Sequence, residues 1–185
     1  VLAELLTYRL VDEELPRLIA ARLGMPSDFV ETFENRAPGF AERVLAGMSG
    51  AVPEVAAPAD DLTGAYRREV EELVRAAADA GDAVVLGRMG SAILAERRDL
   101  VRVFVYAPLA WRIVNVSTSL GCSAAVARAE ISRIDEARRA FAREHYRMAW
   151  GELRNYDLAL DTARYGVDGT ARVIAGAVRA AQAAH

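Results

Sequence analysis

The stretch VVLGRMGSAIL, residues 84–94, decides the fold. It carries most of a short apolar run, AVVLG (83–87), which ends at Gly87-Arg88 before Gly90 opens a helical pattern. The run lacks polar alternation, as a strand covered on both faces of a parallel sheet does. VRVFVYA (101–107) and YDLALD (156–161) have the same character. Helical patterns lie between and after these runs: TGAYRREVEELVRAAADAG (63–81), LAWRIVNVSTSLG (109–121), SAAVARAEISRIDEARRAFAREHYRMAW (123–150) and VDGTARVIAGAVRAAQAA (167–184). Thr63 is the predicted N-cap of the first of these and Gly81 its stop. Strands alternating with helices predict an α/β fold, a parallel sheet flanked by helices.

Composition narrows the chemistry. The 185 residues suit one domain with a sizeable core, at 53% hydrophobic and 26% charged. A net charge of −3 gives no global field towards nucleic acid or an anionic membrane, so any anion binding is local. All 23 basic residues are arginine, which excludes a lysine Schiff base or lysine point charge in this stretch. Cys122 stands alone, which excludes an intrachain disulfide and a cysteine-rich zinc site. His145 and His185 form no metal pair, and Ser91 has no visible His/Asp partnership. No run approaches the roughly 18 apolar residues of a membrane span, and no signal-peptide pattern opens the chain. A cytoplasmic location is expected. GMSGAVPEVAAPADD (47–61) is Gly/Pro/Ala-rich and reads as a loop. VLAELLTYRLVD (1–12) opens inside an amphipathic helix, with Leu2, Leu5 and Leu6 at helical spacing, so the natural chain is expected to extend upstream.

Four places could carry function. Arg88 sits at the carboxyl end of a strand, where open parallel sheets bind ligands, and its guanidinium could grip a phosphate through two hydrogen bonds. An ordinary strand-to-helix turn with an outward arginine also fits. The helical pattern from Arg128 to Arg147 holds six arginines and four acids, a local excess suited to a polyphosphate. At about 100° per residue, Arg128, Asp135, Arg139 and Tyr146 share one face, while Ile134, Phe141 and Met148 form an apolar stripe. A solvated helix laced by Asp135–Arg138 or Asp135–Arg139 pairs accounts for the same pattern. Asp12 ends a short apolar piece in YRLVDEEL (8–15), where it could also cap the following helix. Asp161-Thr162 follows the last strand, and capping or turn chemistry explains that pair.

Together these pieces resemble the cytidylate kinase-like family of P-loop nucleoside monophosphate kinases. The matching stretches are YRLVDEEL, VVLGRMGSAIL, VRVFVYAPLAWRI, SRIDEARRAFAREHY with Trp150-Gly151, and NYDLALDTARYGVDG, in family order. The resemblance implies a three-layer P-loop-type sheet in a single domain, residues 1–185. It implies an acceptor-binding helical region at about 13–80 and a helical lid at about 122–150. It implies transfer of the terminal phosphoryl group of ATP, with Mg2+, to a nucleoside monophosphate such as CMP. The implied partners are therefore small-molecule nucleotides. Arg88 matches the Gly-Arg that grips the acceptor phosphate, and Asp12 matches an acid on the acceptor side. Arg133 and Arg138 match lid positions that contact phosphate oxygens, and Asp135 matches an acid that orients the acceptor or those arginines. Arg17 lies near a further family arginine. The glycine-rich loop that cradles donor phosphates, and the strand before it, are expected upstream of Val1, because VLAELLTYRL resembles the end of the helix that follows them. A non-catalytic nucleotide-binding or regulatory module of the same fold, and a kinase of another small acceptor, are the alternatives.

Overall fold

The computed structural model describes residues 1–12, 14–24 and 59–184. Helix α1 (Leu2–Leu6) leads into strand β1 (Arg9–Val11) and helix α2 (Glu14–Leu23). Helix α3 (Ala59–Asp79), strand β2 (Ala83–Val85) and the single-turn helix α4 (Gly90–Ile93) come next. Strand β3 (Val103–Tyr106), helices α5 (Leu109–Leu120) and α6 (Ala124–Tyr146), strand β4 (Leu158–Asp161) and helix α7 (Thr162–Ala183) complete the order. All three predicted strands form, shortened to their paired residues, and the apolar piece before Asp12 is a fourth.

Among the described residues the strands make two parallel pairs, each flanked by helices. In β1·β2 the register sets Val11 against Val85; in β3·β4 it sets Tyr106 against Asp161. The chain is α/β, as expected. Coverage differs from expectation, because Leu86 and Val105 are 57% and 48% exposed. An apolar run records a preference for burial; neighbours on both faces are a separate, tertiary condition.

Two cores hold the helices. Leu15 and Ile19 of α2 face Val70, Val74 and Ala77 of α3, with Val11, Ile93 and Leu94 joining them. The i, i+4 and i+7 spacings turn one stripe of each helix inward. Leu15, Ile19 and Val74 are fully buried, each worth roughly 1.5–3 kcal/mol in transfer terms. A second, smaller core joins Ile113 of α5 to Ala127 and Ile131 of α6. Short α1 is held by α7, where Arg179 donates to the Leu5 carbonyl at 3.0 Å and Gln182 to the Tyr8 hydroxyl at 2.6 Å.

Several local expectations change. Helix α3 is described from Ala59, so Thr63 lies inside it and does not cap it. Residues 59–61 of the expected 47–61 loop are therefore helical, and its remainder lies outside the described residues. Helix α6 begins where expected, with the Ser123 hydroxyl accepting from the Val126 N–H at 3.3 Å. Its buried stripe is Ala127, Ile131, Asp135 and Ala142, whereas Ile134 and Phe141 are half-buried and Met148 lies past the C-cap, Arg147. Helix α7 starts at Thr162, earlier than the 167 expected; Asp161 caps it, accepting from the Ala163 N–H at 2.9 Å, and Gly166 (φ 67°) kinks it. Among the described residues no helix is long and apolar enough to cross a membrane.

Candidate functional site

The parallel register of β1 and β2 brings their carboxyl ends together, and the Leu86 N–H donates to the Val11 carbonyl at 3.2 Å. Asp12 and Arg88 emerge there side by side. Arg88 Nη2 stands 3.5 Å from Asp12 Oδ1, with the side chains 17% and 27% exposed. The backbone that presents Arg88 is unusual: Gly87, Arg88 and Met89 all have positive φ, at 69°, 51° and 54°. For the two non-glycine residues this conformation costs roughly 1–3 kcal/mol each, and strained residues cluster at functional sites. Gly87 meets the first of these turns without a Cβ penalty.

The other sequence-selected residues lie on α6. Arg133 donates through Nε and Nη2 to Glu130 at 2.9 and 2.6 Å, one turn back. Those hydrogen bonds hold the Glu130 carboxyl below its usual range. Arg138 places its guanidinium 5.9 Å from the Trp150 ring centroid, a cation–π contact worth about 0.5–1 kcal/mol at an exposed site. Trp150 meets Phe104 of β3 edge-on at 5.5 Å, and Phe104 also packs on Tyr156 at 4.9 Å. Gly151 follows in a left-handed turn (φ 83°), a conformation glycine takes without a Cβ penalty.

Asp135 departs from its expected setting. It is 7% exposed, on the inward face of α6. Both of its oxygens accept from Arg112 of α5, Oδ2 from Nη1 at 2.7 Å and Oδ1 from Nη2 at 2.8 Å. The Asp135 hydrogen bonds raise the Arg112 pKa above the ordinary arginine value. The Asp135–Arg138 and Asp135–Arg139 pairs expected of a solvated face give way to this bridge. Arg139 and Arg143 are exposed, and Arg17 of α2 is too. His145 packs against Phe141 at 4.5 Å.

The C-terminal end of α6 reaches the core behind the strand ends, because Tyr146 packs on the cluster that includes Val11 and Met89. Burial first, then the Glu71 carboxylate of α3, push the Tyr146 hydroxyl above its usual pKa. Arg112, Trp150, Glu130 and Glu71 are therefore working neighbours that the sequence did not single out by role. One signal was available: Ala127, Ile131 and Asp135 follow each other at spacing four, which puts an acid in line with a buried stripe and calls for a partner. A shallow depression of about 250 Å³ lined by Arg75, Asp79, Ile93, Leu94, Glu96 and Arg97 contains none of the sequence-selected residues. Its Arg97 is bound by Asp79 and Asp99.

Arginine side chains at a strand end and along one helix, in a sequence without lysine, suit planar recognition of phosphate oxygens. Among the described residues no cluster of three or more His, Cys, Asp or Glu side chains could hold a metal ion. Magnesium carried by nucleotide phosphates asks for only one or two protein carboxylates. The arginines present fit the phosphate part of such a ligand.

Known proteins similar to this chain show its family and its fold. A cytidylate kinase from Halobacterium salinarum is 27% identical over 117 residues, covering 63% of this chain and 60% of its own length. A cytidylate kinase from Methanopyrus kandleri is 28% identical over 118 residues, covering 60% of this chain and 61% of its own. The matched region thus spans about 60% of the length of these curated relatives. The solved structure of an uncharacterized protein from Eubacterium ventriosum superposes with a TM-score of 0.65 at 18% identity, covering 97% of this chain and 88% of that one, which shows a shared fold. The profile of the cytidylate kinase-like family matches residues 1–164, and the chain belongs to that family.

Proposed function

We propose that this chain carries the acceptor site and lid of a nucleoside monophosphate kinase, which moves the terminal phosphoryl group of ATP to CMP or a related monophosphate. The observation that carries this reading is the Asp12–Arg88 pair, set at the carboxyl ends of adjacent parallel strands and presented by a strained turn. In this reading Arg88 grips the acceptor phosphate and Asp12 holds Arg88 ready for it. Arg133 and Arg138 of α6 neutralise charge on the transferred group. Such a reaction needs positioning and charge stabilisation more than covalent catalysis. Asp135 acts on the arginine side, by orienting α6. Magnesium bound with the donor would neutralise phosphate charge. A glycine-rich loop cradling the donor phosphates would complete the donor site, and the exposed apolar residues Leu86, Val105 and Tyr106 offer surface that a further strand would cover.

The test uses the full-length protein with ATP and Mg2+ against CMP, dCMP, UMP, AMP, dTMP and shikimate. Formation of CDP, lost in Arg88→Ala and Arg138→Ala variants that remain folded, is the expected result. Saturable nucleotide binding without transfer to any acceptor would identify the non-catalytic module. Transfer to shikimate alone would identify the kinase of another acceptor.

A further inference from the structure

We infer that Arg112 is a positioning residue: its two hydrogen bonds to Asp135 fix the rotation of α6 about its own axis, and so set where Arg133 and Arg138 stand. The inference rests on the phosphate-gripping reading of those two arginines.

Among the described residues Asp135 is the buried charged side chain. A carboxylate taken out of water must be paired, and the Arg112 fork supplies two parallel donors at 2.7 and 2.8 Å. A single contact would leave α6 free to swing about one line, whereas two parallel contacts fix a plane. The apolar part of the α5·α6 interface is small. It consists of Ile113 from α5 with Ala127 and Ile131 from α6, flanked by Val116 and Cys122. A small interface that includes an alanine specifies rotation weakly, and a polar pair is a known way to fix register.

The two arginines are sensitive to that rotation. Arg133 precedes Asp135 by two residues, about 160° round the helix, and Arg138 follows by three, about 60° round, so both lie within about one turn of the bridge and move with any roll of α6. A helix with its side chains has a radius of about 6 Å, so a roll of about 15° displaces a projecting group by about 1.5 Å. Misplacement by about 1 Å can cost on the order of a hundredfold in rate. The stacking of Arg138 on Trp150 makes the same rotation observable from outside the chemistry.

The full-length protein, labelled with 5-fluorotryptophan and with the Trp150 resonance assigned through Trp150→Phe, carries both readouts. Arg112→Met combined with Asp135→Leu replaces a buried ion pair with apolar groups and is expected to stay folded. In this double variant kcat should fall at least thirtyfold, with the KM values for ATP and acceptor changed less than threefold, and the Trp150 fluorine resonance should shift or broaden. Arg112→Lys keeps the charge but loses the fork, and should lower kcat about tenfold with a smaller spectral change. A folded double variant with wild-type kcat and an unmoved Trp150 resonance overturns the proposal. So does an Asp135→Asn variant whose acceptor KM rises tenfold while Arg112→Lys is neutral, since Asp135 would then touch the ligand itself. If the full-length protein transfers phosphate to no acceptor, the kinase reading fails by itself. The Trp150 resonance then still decides the bridge: displacement in both Arg112 variants upholds it, and an unchanged signal overturns it.

Discussion

Arg88 Nη2 lies 3.5 Å from Asp12 Oδ1, across the ends of two neighbouring parallel strands that are far apart in sequence. The pair is partly buried and too long for a strong hydrogen bond, so it positions Arg88 more than it stabilises the fold.

Arg88→Gly separates the two roles. Glycine relieves a positive φ worth about 1–2 kcal/mol but loosens the unfolded chain by a similar amount. The unfolding free energy from urea denaturation should stay within about 1 kcal/mol of wild type, while phosphoryl transfer falls at least a hundredfold. Wild-type activity in Arg88→Gly would remove the residue from the acceptor site.

Asp135→Asn strips the charge from one side of a buried ion pair and strands Arg112. Breaking such a pair costs about 3–5 kcal/mol, and the low end applies because the Arg112 side chain is 30% exposed. Urea denaturation should show a loss of about 3 kcal/mol, and adding Arg112→Met should recover part of it. A loss under about 1 kcal/mol would mean that water already screens the bridge.

Arg138 sits over Trp150, its guanidinium 5.9 Å from the ring centroid. Inorganic tripolyphosphate should draw the guanidinium away and change Trp150 emission saturably. The change should disappear in Arg138→Met and persist in Arg143→Met. An equal response in both variants would locate the anion elsewhere.

Tyr146 reports the joint between α6 and α3. Burial, and then Glu71, raise its pKa, so the neutral phenol is favoured in the folded chain. The stability this contributes is fully present below the ordinary tyrosine value of about 10, and is lost as pH rises through the folded value. The alkaline difference spectrum between wild type and Tyr146→Phe should have its midpoint above pH ~10. Glu71→Gln should lower that midpoint without restoring the ordinary value, because burial remains. A midpoint at about 10 would show that the joint is open to water.

The sequence by itself determined the elements. Apolar runs ending in Gly87 and Asp161 marked strands, apolar periodicity marked helices, and Ser123 opened the pattern that forms α6, whereas α7 begins at Thr162 and not at the 167 expected. It also marked Arg88, Asp12 and the arginine-rich helix, because glycine, charge and strand ends are local signals. Only the tertiary structure decided which groups meet. The parallel register joins Asp12 to Arg88, α5 supplies Arg112 to Asp135, and the turn at Gly151 carries Trp150 beneath Arg138. The physical reason is range. Backbone preferences and hydrophobic period act over one or two turns, so they can be read along the chain. The partner of a buried charge is set by which helix packs against it, and Asp135 on a stripe of Ala127 and Ile131 gave no sign that its partner would come from the preceding helix.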